Sequence, residues 1–88
     1  MFIARVVGNV IATRKEESLV GQRFLIVQKV DKTGNPIGDE QVAVDYIGAG
    51  KGEVVLISTG SGARVHGEEY YKTKPIDMAI VGIIDEVQ

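Results

Sequence analysis

Two glycine-rich loops flank the short apolar run Val54–Ile57, and the first contains Gly50-Lys51, a dipeptide that phosphate-binding loops use. A Walker A loop has a glycine five residues before this pair and a Ser or Thr directly after the lysine. Here Asp45 occupies the first of these positions and Gly52 occupies the second. The dinucleotide fingerprint fails in both loops because its third glycine is absent, and no long helical pattern follows either loop. We therefore expect no nucleotide and no other cofactor.

The remaining titratable residues do not form a pattern for metal binding or acid–base catalysis. His66 is the only histidine, and Glu68 and Glu69 follow it closely, but the chain has no cysteine to complete a deaminase-type zinc site. Asp77 and Asp85 would lie roughly 26 Å apart on an extended strand, too far for a pair of catalytic carboxylates. The sequence therefore predicts no metal site, no catalytic residue, no enzymatic activity and no small-molecule substrate.

The charge balance disfavours nucleic acid as a partner. Ten basic and 12 acidic residues give a net charge of −2, and the largest basic cluster is Arg14-Lys15. Tyr70-Tyr71 could stack bases, but Glu68-Glu69 beside this pair would repel phosphate. We expect these tyrosines to cover a barrel edge or a partner surface.

Length and composition predict one small domain over residues 1–88. Hydrophobic residues make up 44% of the chain, which is enough for a packed core. The absence of cysteine fits a reducing compartment. Residues 1–5 lack a signal-peptide pattern and no 18-residue apolar window exists, so we expect a cytoplasmic protein with no membrane partner.

The elements that must position the loops are almost all strands. Alternation in the second strand places Leu25 and Val27 on one face and Phe24 and Ile26 on the other. Gly8 in the middle of the first strand indicates a bend. Five short strands without a full helix, and at most a turn or two of helix at 61–66, predict a small, partly open barrel or a sandwich. The predicted strands are Phe2–Ala12, Arg23–Val30, Gln41–Ile47, Val54–Ser58 and Ile76–Val87, with a hairpin turn at Asp31–Pro36 and the last strand the longest.

Several blocks of the chain resemble the pentamer-forming vertex proteins of bacterial microcompartment shells, the EutN/CcmL family. The central blocks are Asp45–Gly50, Gly52–Leu56, Gly60-Ser61 and Ala63-Arg64, and further blocks near both ends of the chain follow the family's order and spacing. Gly62 departs from the family's more usual small polar residue. The resemblance covers nearly the whole chain and implies an antiparallel five-stranded barrel similar to an oligonucleotide-binding (OB) fold.

The resemblance also implies an assembly role. A ring of five copies would cap the five-fold corners of a shell whose flat faces are built from hexamers, inside the cytoplasm. Arg64 is expected to pair with Asp45 or with a neighbouring chain. The alternative function is that of a small OB-like barrel that binds single-stranded nucleic acid or another ligand on its curved face. The residues expected at the ring centre or subunit interface are Asp45, Gly48, Ala49, Gly50, Gly60, Ser61, Ala63 and Arg64.

Overall fold

The computed structural model describes residues 1–11, 17–19, 21–60 and 76–88, and most of these residues lie in β-strands. The strands are β1 Phe2–Val10, β2 Phe24–Val30, β3 Pro36–Asp45, β4 Val54–Thr59 and β5 Met78–Ile83. They close into one barrel with the order β1-β2-β3-β5-β4 around its circumference. This architecture confirms the predicted five-stranded, mainly β fold, but the barrel is closed and not partly open. A 3-10 turn at Glu17–Leu19 was not predicted, and the predicted helical segment at 61–66 lies outside the described residues.

One of the five strand pairs is parallel, although we expected an antiparallel barrel. β3 and β5 run in the same direction and pair through Val44–Ala79 and Asp45–Ile80, whereas the other four pairs are antiparallel. The reason is geometric. Five strands cannot alternate in direction all the way around a closed ring because five is an odd number. Closure of this barrel therefore requires at least one parallel pair.

The bounds of β3 and β5 differ most from the prediction, whereas those of β1, β2 and β4 agree with it to within two residues. β3 begins at Pro36, directly after the turn, and with ten residues it is the longest of the five strands. β5 covers only Met78–Ile83, so the prediction that the last strand extends over Ile76–Val87 was wrong. Its main partner β4 is six residues long and pairs with β5 only between Val55 and Thr59. The apolar run at the end of the chain is therefore longer than the strand that can pair with it.

The predicted hairpin turn between β2 and β3 is organised by one carboxylate. Asp31 Oδ1 accepts hydrogen bonds from the Thr33 hydroxyl at 2.6 Å, the Thr33 N–H at 2.8 Å and the Asn35 N–H at 3.0 Å. The hydroxyl bond, followed by the Asn35 N–H bond, lowers the pKa of Asp31 below its usual 3.8. Because the folded pKa is depressed, this stabilisation is present above the ordinary pKa and is lost as the pH falls through the lowered value.

The barrel interior is filled by inward-facing side chains, as the alternation predicted. Leu25 and Val27 are buried whereas Phe24 and Ile26 are half-buried. The β1–β2 register shifts between Val6 and Gly8, an irregularity of pairing at the glycine where a bend or a close backbone approach was expected. The buried residues of the interior are Ala4, Val6, Leu25, Val27, Ala43, Ala49, Val55, Ile57 and Ile80.

A second apolar cluster lies apart from this interior. Val44, Ile76 and Ala79 form its buried part, and Leu19 from the 3-10 turn packs against them together with Phe24. Apolar side chains thus occupy both faces of the sheet near the start of β5, and the barrel wall here is covered from outside as well as filled from inside.

Candidate assembly loops

Both glycine-rich loops begin beside the start of β5, although β3 and β4 run in opposite directions. The first loop follows Asp45 at the end of β3, and the second begins at Gly60 directly after β4. The last residues of β3 pair with Ala79 and Ile80, and the last residue of β4 pairs with Met78. The starts of the two loops therefore lie on either side of the start of β5. This register brings together the two segments that the sequence separates by 15 positions.

The Asp45 carboxylate organises the first loop. Its Oδ1 accepts hydrogen bonds from the N–H groups of Ile47 and Gly48, both at 3.1 Å, and its Oδ2 accepts from the Ala49 N–H at 2.9 Å. Arg23 Nη1 donates to Oδ2 at 2.9 Å. The Asp45 side chain is fully buried, whereas that of Arg23 is 52% exposed. A carboxylate has about four lone-pair sites, and these four donors occupy them.

Gly48 allows the chain to turn so that Ala49 enters the barrel. Gly48 has φ +85°, a left-handed conformation that favours glycine, and a Cβ at this position would meet nothing within 4 Å. The constraint on Gly48 is therefore its backbone conformation. Ala49 is fully buried in the interior cluster. Gly50 differs from Gly48, because its φ is not positive and its N–H donates to Glu53 Oε1 at 2.6 Å.

The end of the first loop is fixed to β1. The Gly52 N–H donates to the Val6 carbonyl at 2.8 Å, and the Val6 N–H donates to the Glu53 carbonyl at 2.9 Å. Arg5 Nη1 also donates to the Gly52 carbonyl at 2.9 Å. β1 pairs with β4 only as far as Arg5. Beyond Arg5, this edge of β1 forms its backbone hydrogen bonds with the first loop. The loop is held at both ends and at Ala49 in its middle.

Only the start of the second loop lies among the described residues. Gly60 has φ +64° and its N–H donates to the Asp77 carbonyl at 2.8 Å. The expectations for Ser61, Ala63 and Arg64 lie outside the described residues, as do those for His66, Glu68, Glu69 and Tyr70-Tyr71. The roles assigned to these residues stay predictions.

The sequence prediction did not include Arg23, which is the ion-pair partner that Asp45 has among the described residues. A usable signal existed. The hairpin places Phe24 opposite Val44, so Arg23 must come next to Asp45 across the two strands. The Asp45 N–H also donates to the Arg23 carbonyl at 2.8 Å. The predicted pairing of Arg64 with Asp45 or with a neighbouring chain lies outside the described residues and stays a prediction.

The described residues contain no group of three or more His, Cys, Asp or Glu side chains placed to hold a metal ion. In the same part of the chain, no helix is long and apolar enough to cross a membrane. The carboxylates of Asp45 and Glu53 accept hydrogen bonds from backbone N–H groups, Arg5 donates to a backbone carbonyl, and these bonds fix the path of the first loop. This arrangement can present a rigid loop to another protein surface.

Comparison with known proteins gives the class to which this barrel and its loops belong. The family model described as "Ethanolamine utilisation protein EutN/carboxysome" matches residues 1–85. The carboxysome shell vertex protein CcmL of Gloeobacter violaceus is 47% identical over 88 residues, which cover 99% of this chain and 85% of that protein. The microcompartment shell vertex protein EutN of Escherichia coli K12 is 43% identical, with coverage of 99% and 90%.

Solved structures agree with these sequence matches. The structure of Gloeobacter violaceus CcmL has a TM-score of 0.90 at 43% identity and covers all of this chain and 89% of its own. The GrpN pentameric microcompartment shell protein from Rhodospirillum rubrum has a TM-score of 0.87 at 42% identity, with coverage of 100% and 96%.

The chain belongs to the EutN/CcmL family of microcompartment shell vertex proteins. This confirms the resemblance found in the sequence. The relatives are structural shell proteins, and the solved GrpN relative is pentameric. The alternative of an OB-like barrel that binds single-stranded nucleic acid receives no support from these relatives.

Proposed function

We propose that this protein forms a homopentameric ring that caps the five-fold vertices of a bacterial microcompartment shell. The observation that carries the proposal is the match of the family model to residues 1–85, which includes both glycine-rich loops and the whole barrel. Curated relatives over the same length are named shell vertex proteins. The function is structural and requires no catalytic residue.

The physical reason for such a protein is closure of a surface. A flat sheet of hexagonal units cannot close until units with five-fold symmetry introduce curvature at its corners. A head-to-tail interface that is repeated by a five-fold rotation gives a closed ring with no free interface. Hexameric shell proteins are the neighbours that such a ring requires, and we propose them as the second partner.

The organised loop gives the ring a surface that needs no rearrangement before assembly. Asp45 accepts hydrogen bonds from the N–H groups of Ile47, Gly48 and Ala49. The loop therefore loses its conformational entropy when the barrel folds, and association does not have to order it. We place Gly48, Ala49, Gly50, Gly60, Ser61, Ala63 and Arg64 near the ring centre or the subunit contact. Loops with small residues allow five copies to approach one axis closely.

Native mass spectrometry of the purified protein tests the proposal. We expect a dominant species at five times the chain mass of 9.5 kDa. Co-expression with hexameric shell proteins is then expected to give closed polyhedral particles, and omission of this protein is expected to leave sheets or open tubes. A stable monomer at micromolar concentration would contradict the ring, and identical particles with and without the protein would contradict the vertex role.

A further inference from the structure

The barrel closes through only the last two residues of β3. This strand has ten residues, but it pairs with β5 only through Val44 and Asp45. In the part of the chain that the structure describes, no strand lies along the same edge between Pro36 and Ala43. We call this stretch the open edge. An edge of this kind presents a row of backbone N–H and C=O groups with which another chain can pair.

The register of the β2–β3 hairpin shows which backbone groups face the open edge. The Asp45 N–H donates to the Arg23 carbonyl at 2.8 Å, so this N–H points toward β2. Successive residues of a strand direct their backbone groups to alternate sides, and the β2–β3 register is regular over this stretch. Val44 therefore faces β5, with which it pairs. By the same alternation, Val42 and Glu40 direct their N–H and C=O groups to the open edge.

The side chains along the open edge are exposed, and two of them are acidic. Asp39 and Glu40 are both exposed, and neither forms an ion pair with another described residue. Lys29 on the neighbouring strand β2 instead lies with its Nζ 5.5 Å from the centroid of the Phe2 ring. Val42, two residues beyond Glu40, is 49% exposed. The open edge thus combines outward-facing backbone groups, two carboxylates and an apolar side chain.

We propose that the open edge of β3 binds an extended, positively charged segment of another protein as an added β-strand. In this mode of recognition the backbone hydrogen bonds supply affinity and the side chains supply specificity. Lysine or arginine of the added strand lies beside Asp39 and Glu40, and an apolar residue lies beside Val42. The proposal goes beyond the vertex role, and it requires only that the open edge is accessible in the native assembly.

Charge argues against the same edge of a second copy as the occupant. Edge-to-edge pairing of two protomers brings Asp39 and Glu40 of one chain close to the same carboxylates of the other, and like charges on adjacent strands are destabilising. Charged side chains on an edge strand are a common protection against such self-association. The same carboxylates attract a basic strand, so they select the partner by charge.

A labelled hexapeptide of alternating lysine and valine is the probe, because six extended residues span roughly 20 Å and cover the edge from Ile37 to Val42. We expect it to bind the full-length protein in its native assembly, with an affinity that falls as the salt concentration rises. Two control peptides separate charge from backbone pairing. One has glutamate in place of each lysine, and the other is N-methylated at every backbone nitrogen, which keeps the charges but removes the donors. Fluorescence anisotropy measures binding, and we expect neither control to bind.

Matched protein variants reverse one acidic pair at a time. Asp39→Lys combined with Glu40→Lys reverses the pair on the open edge. Asp85→Lys combined with Glu86→Lys reverses another exposed Asp-Glu pair, with the same change in net charge. We expect the first variant to bind the lysine peptide at least about tenfold more weakly and to bind the glutamate peptide instead. The second variant should keep the wild-type preference.

Hydrogen exchange locates the bound peptide on the barrel. We expect the lysine peptide to slow exchange at the Glu40 and Val42 N–H groups, which face the open edge. Exchange at Gln41 and Ala43 should not change, because these N–H groups face β2. Val42→Pro removes an outward N–H without removing a bond to β2, and we expect this variant to bind the lysine peptide more weakly than the wild type.

A wild-type assembly that does not bind the lysine peptide would overturn the proposal, as would binding of the N-methylated peptide. Equal losses of affinity in the two charge-reversed variants, or unchanged exchange at Glu40 and Val42, would also overturn it. None of these measurements depends on the mass of the assembly, so the vertex role stands or fails on its own test.

Discussion

At the scale of single residues, Asp45 organises its own loop. Its buried carboxylate binds three backbone N–H groups of the loop together with Arg23. The expectation that Asp45 lies at the ring centre or interface stays a prediction, and we expect any effect on assembly to arise through the shape of the loop.

Substitution of Asp45 separates its effect on the loop from its ion pair. We expect Asp45→Ala to lower the free energy of unfolding by at least about 2 kcal/mol, because a buried donor without a partner costs roughly 1–3 kcal/mol and the Ala49 N–H is one of several left unpaired. Arg23→Ala is the control and should cost less than about 1 kcal/mol, because its side chain is 52% exposed. Urea denaturation measures both values. Equal losses in the two variants would contradict the organising role.

The effects of Gly48 and Gly50, two of the three glycines of this loop, can also be separated by substitution. We expect Gly48→Ala to cost about 1–3 kcal/mol, because φ +85° is strained for alanine. Gly50→Ala should cost less than about 1 kcal/mol, since its Cβ would lie 3.3 Å from Glu53 Oε1, which belongs to a flexible side chain. Thermal unfolding of both variants gives the comparison. A larger loss of stability in Gly50→Ala than in Gly48→Ala would show that close contact with neighbouring atoms, and not a positive φ, determines the conformation of the loop.

At the scale of the elements, alternation and turn chemistry predicted most of the barrel. Val54–Ser58 was predicted within one residue of β4, and the Asp31–Pro36 turn is where it was expected. The end of β5 could not be predicted from its own residues, because the length of its partner β4 limits its pairing. The short 3-10 turn has no strong sequence signal and is fixed by the packing of Leu19 against the outer cluster.

The candidate site was less predictable than the barrel. The glycine blocks located both loops, but the approach of the loop starts follows from the pairing of β3 and β4 with the start of β5 on its two sides. The odd number of strands requires at least one parallel pair but does not say which strands form it. The Arg23–Asp45 contact depended on knowing the hairpin register, which local patterns around Asp45 do not contain. Contacts between distant segments are therefore what single-sequence reasoning missed.

At the scale of the whole molecule, Arg64 remains the residue that we expect to connect neighbouring protomers. If Arg64 pairs with an acidic group of the next chain in a desolvated contact, Arg64→Ala should cost about 3–5 kcal/mol per pair and dissolve the ring on dilution. Arg64→Lys should weaken the ring less, because lysine keeps the charge but loses two-pronged hydrogen bonding. Sedimentation across a dilution series compares the two variants. Intact rings in both would mean that Arg64 is only a surface charge.

The two different ends of the barrel give the assembled particle a direction. Rotation about a single axis never exchanges the two sides of a ring, so any feature on one side of a protomer appears five times on that side and not on the other. The first glycine-rich loop and the Asp31–Asn35 turn lie at opposite ends of the barrel, because the turn precedes β3 and the loop follows it. A shell corner built from such rings can distinguish inside from outside by surface chemistry alone, without a dedicated orienting protein.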